Sequence, residues 1–583
     1  MAVFQLHLVK PSHYDDDGYV VQWLRSAIPS NSLAALHAIA QDAGRREALG
    51  PDVKLEIFVY DETNTRIIPE EIAARIKAAG QGLVCLTGVQ SNQFPRALDL
   101  ARRFRAAGAD VAIGGFHVSG CISMLPELPA ELREAQDLGC SLYAGEIEGR
   151  FDDFLRDAFA RQLKPLYNFL GDLPAMEGAP FPLLPASIIS GTSGAVTSFD
   201  AGRGCPFQCS FCTIINVQGR KSRHRSADDV EAIIRANLQQ GVDSFFITDD
   251  NFARNSNWET IFDRLIALRG QGLKFTFVIQ VDTLCHRIPH FIEKAGKAGV
   301  RRVFIGLENI NPDNLLEVKK KQNRIAEYRE MLLAWKAVGC FTYAGYILGF
   351  PNDTPESIRR DIAIIQRELP LDILEFFCLT PLPGSEDHQR LAAKGEWMDP
   401  DLNKYDLEHV VARHPRMSKA EWEGIYQEAW DLYYSPEHMK TVMRRAAAVG
   451  TSAGAAMFLL LWFWGCVKLE KVHPLQGGYL RRKYRRDRRP GLPLENPLLF
   501  YPRYVADLLA KHVRLVFMGA RLGLHRLWLK RNKAEASAYM DQALTPPTAA
   551  DVDDLDLFQH NESSRAAGDK ARQKAARQAA HAH

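Results

Sequence analysis

The chain has 583 residues, enough for three or four domains, of which 46% are hydrophobic and 24% charged. That balance excludes a wholly disordered, collagenous or multi-span membrane protein. The formal net charge is only +2, yet residues 440–534 hold 20 Lys and Arg against 4 Asp and Glu, so this segment carries +16 and the rest −14. A basic region on an acidic body calls for an anionic partner. Ten cysteines are too few for a disulfide scaffold, and the N-terminus lacks a charged stretch followed by an apolar one. The chain is therefore expected to begin in a reducing cytoplasm, where clustered cysteines indicate metal or redox chemistry.

In chain order, short apolar stretches at Phe4–Val9, Val53–Tyr60, Leu83–Thr87, Val111–Gly114 and Ser141–Ala144 alternate with amphipathic ones. This predicts a parallel, doubly wound, flavodoxin-like α/β domain over residues 1–165. A Pro- and Gly-rich linker is expected over 166–194. A second series predicts strands at Val196–Ala201, Ser244–Asp249, Lys274–Val281, Arg302–Gly306, Phe341–Leu348 and Ile373–Leu379. Six βα units over 195–390 suit a partial (β/α)6 barrel, with its site at the C-terminal strand ends. A helical extension follows over 391–445. An apolar and basic region is expected over 446–534, and a disordered tail over 535–583.

GRGCPFQCSFC places Cys205, Cys209 and Cys212 in a C-x3-C-x2-C pattern directly after the first barrel strand. Three thiolates on one tight loop can hold three corners of a [4Fe-4S] cubane and leave one iron open for an amino-acid-like chelate. A structural zinc site normally wants four closed ligands. Here the nearest histidine, His224, lies twelve residues on, in a basic loop.

The C-x3-C-x-aromatic-C loop, with Phe211 in the aromatic place, resembles the radical SAM superfamily, and the resemblance runs over about residues 195–390. FFITDDNF (Phe245–Phe252) stands where those enzymes bind the amino group of S-adenosyl-L-methionine (SAM), which implies Asp249, Asp250 and Asn251 as cofactor residues. VFIGLEN resembles their next strand end, with Glu308 able to accept from a ribose hydroxyl. For the carboxylates, a helix cap or a surface pair is the alternative. GYILGFPNDTPES and LTPLPGSE resemble the following strand ends. The resemblance implies that the reduced cluster cleaves SAM to a hydrogen-abstracting 5′-deoxyadenosyl radical, with a flavodoxin- or ferredoxin-type electron donor as partner.

The doubly wound domain in front resembles a cobalamin-binding domain. VAIGGFHVSG ends a strand in Gly114 and Gly115, where bare backbone can approach a flat macrocycle. LTGVQSN offers the hydroxyls of Thr87 and Ser91 to a nucleotide tail, and LYAGEIEGRF resembles a closing Gly-Glu-x-Glu stretch. The Asp-x-His-x-x-Gly pattern of histidine-ligated cobalamin domains is absent. His13 reads as a surface residue, and His117 as part of a backbone-approach loop. Cobalamin is thus expected without protein ligation, or the domain is a vestige.

Ala446–Val467 is 22 residues without charge, long enough for a bilayer core, and contains Gly450-x-x-x-Gly454. A simple span would put the basic run Arg481–Arg489 on the far side from the cluster domain, against the positive-inside rule. A re-entrant or interfacial segment on an anionic membrane surface fits better, and a core helix is the alternative. Surrounding Trp and Tyr residues argue against nucleic acid as the partner. The sequence thus points to a cobalamin-dependent radical SAM enzyme at the cytoplasmic face of the cell membrane. It would C-methylate a lipid-like or hydrophobic substrate at an unactivated carbon. Oxidative cyclisation or carbon–carbon coupling, and non-catalytic corrinoid or iron–sulfur binding, are the rival readings.

Overall fold

The computed structural model describes residues 2–192, 196–548 and 551–581. The expected boundary between linker and barrel, at 194/195, lies outside them. The first sheet is built from β1 (Ala2–Lys10), β3 (Val53–Asp61), β4 (Gly80–Leu86), β5 (Asp110–Gly114), β6 (Ser141–Ala144) and β7 (Leu166–Asn168), with β2 (Gln22–Ser26) outside it. All six strands are parallel in the order β3-β1-β4-β5-β6-β7. The order reverses between β1 and β4, and in such sheets a ligand crevice opens beyond the carboxyl ends of the strands at that point. The last strand, β7, falls in the stretch expected to be linker, because three residues are too short to show a period.

The second sheet comprises β8 (Val196–Phe199), β11 (Ser244–Ile247), β12 (Thr276–Val281), β13 (Val300–Glu308), β14 (Phe341–Leu348) and β15 (Ile373–Cys378). They are all parallel and ordered β15-β14-β13-β12-β11-β8, an open six-stranded partial barrel. Every residue of β14 is buried, as a strand covered on both faces requires. A two-residue hairpin, β9 (Gly202–Arg203) with β10 (Arg223–His224), brackets the cysteine loop. The helices carry their own start signals: Ser226 and Thr354 each close a capping box, and Pro355 occupies a first turn.

The C-terminal third departs most from the sequence reading. Ala446–Val467 is not one helix. Its first residues finish the Pro436–Ala448 helix, the chain breaks at Gly450 with φ +74°, and a second helix runs Ala453–Gly465 before a π-turn over Cys466–Glu470. Gly450 therefore lies in the break and cannot pair with Gly454 on one helix face. Ala456, Leu459, Leu460 and Phe463 are buried, with the Phe463 ring 5.8 Å from Tyr343 of the barrel and parallel to Tyr434.

The basic run is largely neutralised within the chain. β16 (Gly478–Arg482) pairs antiparallel with β2. Arg481 is buried and bonds Asp15 at 2.9 Å, Lys483 reaches Asp15 and Asp17 at 3.0 Å, and Arg489 grips Asp401 at 2.7 Å. Only glycine fits at Gly478, where a Cβ would lie 2.2 Å from the indole of the fully buried Trp23. His13 is buried beside these charges rather than on the surface, and burial lowers its pKa to about 4.

The tail is also ordered where disorder was expected. Helices at Asp551–Asp554, Asp556–Gln559 and Glu562–His581 return to the barrel. Val552, Leu555, Leu557 and Phe558 are buried, and Glu368 accepts from the backbone N–H of Asp556 and Leu557. Those four apolar residues are too few to fold alone, and they pack against both the barrel and the Glu562–His581 helix, where Val552 and Phe558 face Gly568.

Candidate functional site

The cysteine loop follows β8 and the hairpin strand β9. The Cys205 N–H donates to Gly219 O at 3.3 Å, Cys212 N–H to Cys209 O at 3.1 Å, and Ser210 N–H to Val318 O at 3.1 Å. The loop is thereby held against both the following segment and the end of the Pro312–Glu317 helix. Cys209 is buried and accepts from Gln322 Nε2 at 3.5 Å, while Cys205 and Cys212 are half-buried. Burial pushes the free Cys205 thiol up to about 11 and Cys212 to about 12. Ionising them there needs a bound cation, and three cysteines on one eight-residue loop suit an iron–sulfur cluster with one iron left open. Phe211 packs with Val318, Ile347 and Phe350, with the Lys320 ammonium 5.7 Å above its ring.

A cavity of about 350 Å³ lies between the two sheets. The first domain contributes Thr87, Gly88, Gly114, Gly115, Ser119 and Glu146, from the carboxyl ends of β4, β5 and β6. The barrel contributes Asp200, Gly202, Arg203, Thr248 and Asp250, from the ends of β8 and β11. Gly114, at the end of β5, lines the cavity with bare backbone, and a Cβ there would meet Tyr143 O at 3.3 Å. Gly115 has another reason to be glycine. Its φ is +147°, and a Cβ there would sit 2.1 Å from Val89 N, so the chain itself demands it.

The four carboxylate and amide candidates separate. Asp250 faces the cavity, and burial pushes its pKa up to about 7. Asp249 is turned away. Its Oδ1 accepts from the N–H groups of Ala201 and Gly202, both at 2.7 Å, and its Oδ2 from Asn255 at 2.9 Å. The expected pairing of Asp249 with an ammonium is thus corrected: it is the staple that shapes the turn into the cysteine loop. Asn251 is likewise spent on Asp282, donating at 3.0 Å and accepting at 3.3 Å. Glu308 ends β13 with φ +61°, strained for a non-glycine residue, and forms a buried ion pair with Lys320. Ser91 is buried but bonds His117 Nδ1 at 3.1 Å and does not line the cavity. Thr87 does line it.

Sequence reasoning missed the charge network at the domain junction. Arg203 donates to Asp200 at 2.6 Å, to Glu146 at 2.6 Å and to Glu148 at 2.7 Å. Arg223 adds two bonds to Glu146, and Arg225 reaches Asp200. The Gly-Glu-x-Glu stretch had drawn attention to Glu146 and Glu148, but nothing local pairs them with an arginine 55 to 57 residues on.

Residues 201–365, which contain the cysteine loop and β11–β14, match the family profile described as Radical SAM superfamily. The chain carries a radical SAM domain. This radical SAM enzyme is 26% identical over 362 residues to a bacteriochlorophyllide d C-12(1)-methyltransferase of Chlorobaculum tepidum, covering 61% of this chain and 74% of that one. It is 23% identical over 389 residues to a hopanoid C-2 methylase of Rhodopseudomonas palustris, covering 65% and 70%. Among solved structures, it superposes with a TM-score of 0.55 on the radical SAM methyltransferase TsrM from Kitasatospora setae with cobalamin and a [4Fe-4S] cluster bound. That match is 14% identical and covers 79% of this chain and 99% of that one. The fold, a doubly wound domain followed by a partial barrel, is therefore the one of cobalamin-dependent radical SAM proteins. The superfamily's cofactors, a [4Fe-4S] cluster and SAM, belong to this enzyme, and the reading as a non-catalytic binding protein is set aside.

Proposed function

We propose that this radical SAM enzyme is a cobalamin-dependent C-methyltransferase acting on a hydrophobic, lipid-like substrate. The observation that carries the proposal is the single cavity on which both strand-end crevices open, with Gly114 on one wall and Asp250 on the other. When bound, the cluster supplies the electron that cleaves SAM, and methylcobalamin supplies a methyl group to a substrate radical. Cys205, Cys209 and Cys212 would hold the cluster. Gly114, Gly115 and Thr87 would meet the corrinoid through backbone and a small hydroxyl. The cavity-facing carboxyl of Asp250 would bind a polar group of SAM, and Glu308, once released from Lys320, would accept from a hydroxyl. The Arg203 network fixes the cysteine loop against the first domain, so that the two cofactor walls keep one spacing.

The lipid-like substrate is supported by the Pro497–Arg531 helix, 35 residues and about 52 Å long. Leu498, Tyr501, Val505, Leu509, Val513, Val516, Phe517, Leu524 and Leu527 are all exposed; apart from the adjacent pair Val516–Phe517 they are spaced by three, four or seven residues, which keeps them on one outward stripe. Its inner side rests on the Ala453–Gly465 helix, with Leu515 against Gly465 and Leu461 against Gly519. The stripe, flanked by exposed Arg503, Arg514 and Lys530, suits a helix lying in a membrane interface. In this reading the membrane contact is the long helix, not the Arg481–Arg489 run, whose charges are largely paired. The deciding experiment is turnover by reconstituted enzyme on a hopanoid or tetrapyrrole acceptor, with and without cobalamin. Methyl transfer that needs cobalamin supports the reading, whereas full turnover without it redirects the enzyme to cyclisation or coupling.

A further inference from the structure

A second cluster of metal-ligating side chains lies behind the cavity wall, on the far side of the Phe116–Met124 helix. His117 and Cys121 stand four residues apart on one face of that helix, and Glu131 reaches them from the Ala130–Asp137 helix. His117 Nε2 is 3.3 Å from Glu131 Oε1 and 3.9 Å from Cys121 Sγ, and all three donor atoms lie within 4.8 Å of one another. Zinc bonds of 2.0–2.3 Å in a tetrahedron put neighbouring ligand atoms about 3.3–3.8 Å apart, close to the spacings seen here. His117 and Cys121 are fully buried.

The ring of His117 is already oriented as a ligand would be. Its Nδ1 bonds Ser91 Oγ at 3.1 Å, which turns Nε2 toward Cys121 and Glu131. Such a bond to the second ring nitrogen commonly sets the tautomer of a metal-bound histidine. A second, independent observation concerns the barrel helix packed on this one. His388, on the Glu386–Lys394 helix of the barrel, is nine-tenths buried, and its Nδ1 has no hydrogen-bond partner. His388 is not among the donors that lie within 4.8 Å of one another, so its ring must swing toward them to serve as the fourth ligand; its neighbour Gln389 donates to Met124 O at the end of the Phe116–Met124 helix at 2.8 Å. An orphaned ring nitrogen at a buried domain junction is costly unless something occupies it.

We propose that His117, Cys121, Glu131 and His388 bind a structural zinc ion that pins the first domain to the barrel. One thiolate and one carboxylate neutralise the ion's two charges, so the buried site carries no net charge. The chemistry of the donors, nitrogen with sulfur and one carboxylate, selects zinc over magnesium or calcium. The site joins segments that are otherwise held by close backbone contact. A Cβ on Gly120 would fall 2.4 Å from Pro383 O, Ser123 donates to Asn216 O at 2.8 Å, and Gln389 donates to Met124 O at 2.8 Å. The site lies apart from the cysteine loop and would survive loss of the iron–sulfur cluster.

The test is elemental analysis of the full-length holoenzyme, purified without added zinc or chelator. One zinc per chain is expected beside the cluster iron. Cys121→Ala and His388→Ala should each lose that zinc while keeping the iron, which shows that they still fold. Replacing zinc by cobalt(II) should give a thiolate-to-cobalt charge-transfer band that Cys121→Ala abolishes. A wild-type enzyme with no zinc and no cobalt spectrum would overturn the site, leaving a plain histidine–glutamate hydrogen bond. Zinc retained by either variant would overturn the ligand assignment.

Discussion

Arg203 of the barrel and Glu146 of the first domain are bonded at 2.6 Å, two residues before the first cluster cysteine. The same guanidinium holds Asp200 and Glu148, so one side chain couples the cysteine loop to both walls of the cavity. Replacing it with alanine takes the arginine from Glu148 and leaves Glu146 and Asp200 with Arg223 and Arg225 alone, and breaking a buried network from one side costs about 3–5 kcal/mol. Arg203→Ala should therefore lower the apparent melting temperature by many degrees and release bound cobalamin. Unchanged melting would show that the network is only a surface ornament.

The three cysteines should behave as a unit. Alanine at Cys205, Cys209 or Cys212 is expected to remove cluster iron from anaerobically reconstituted protein, and with it 5′-deoxyadenosine formation from SAM. Asp249→Asn keeps the size of the side chain but must turn an NH2 either toward both backbone N–H donors now bonded to Oδ1 or toward the Asn255 amide now bonded to Oδ2. It should thus disturb the loop and lower iron content, whereas Asp250→Asn should weaken SAM binding with iron unchanged. The two readouts, iron per chain and SAM affinity, separate the shaping residue from the cavity residue.

Gly114 and Gly115 should part company under substitution. Gly114→Val is expected to yield folded protein that no longer copurifies with cobalamin when cells are fed hydroxocobalamin. Gly115→Ala should instead destabilise the domain, since a Cβ there meets the Val89 backbone at 2.1 Å in a positive-φ conformation. Thermal melting beside the corrinoid absorbance distinguishes loss of a ligand from loss of the fold. Cobalamin retained by Gly114→Val would show that this glycine does not meet the corrinoid.

Glu375 of β15 provides a pH signature. Burial alone raises its pKa from 4.5 to about 8, and His473, 3.8 Å away, is itself lowered by burial to about 3. The two groups are therefore neutral together near pH 7 and do not form a working ion pair. A carboxyl raised in the folded state contributes its full stability below pH 4.5 and loses it as the pH climbs to about 8. Glu375→Gln should become progressively more stable than wild type across that window, by no more than about 5 kcal/mol at its upper end. A melting-temperature difference that does not change with pH would show that the carboxyl is ionised throughout.

Membrane contact should be lost by changing the exposed stripe without touching the core. The full chain is expected to sediment with membranes and to resist a high-salt wash. Leu509→Glu, Val513→Glu and Phe517→Glu, all at exposed positions of the long helix, should move it to the supernatant with SAM cleavage intact. A full-length protein already in the supernatant would end the membrane reading.

Much of this molecule was legible in the residue order. The alternation of short apolar strands and amphipathic helices is a local property, and it located all six barrel strands and five of the six strands in the first sheet. Cys205, Cys209 and Cys212 could be read together because a loop of eight residues needs no tertiary knowledge to bring three thiols close. Which of two adjacent aspartates faces the cavity could not be read, since Asp249 is claimed by backbone N–H groups 47 and 48 residues away in the chain. The same limit hid the grip of Glu146 on Arg203, the pairing of the basic run with Asp15, Asp17 and Asp401, and the order of the tail. In each case a charge or a few apolar side chains look solvated or idle in the sequence. Their partners come from distant segments, and only the folded chain removes the water that would otherwise have satisfied them.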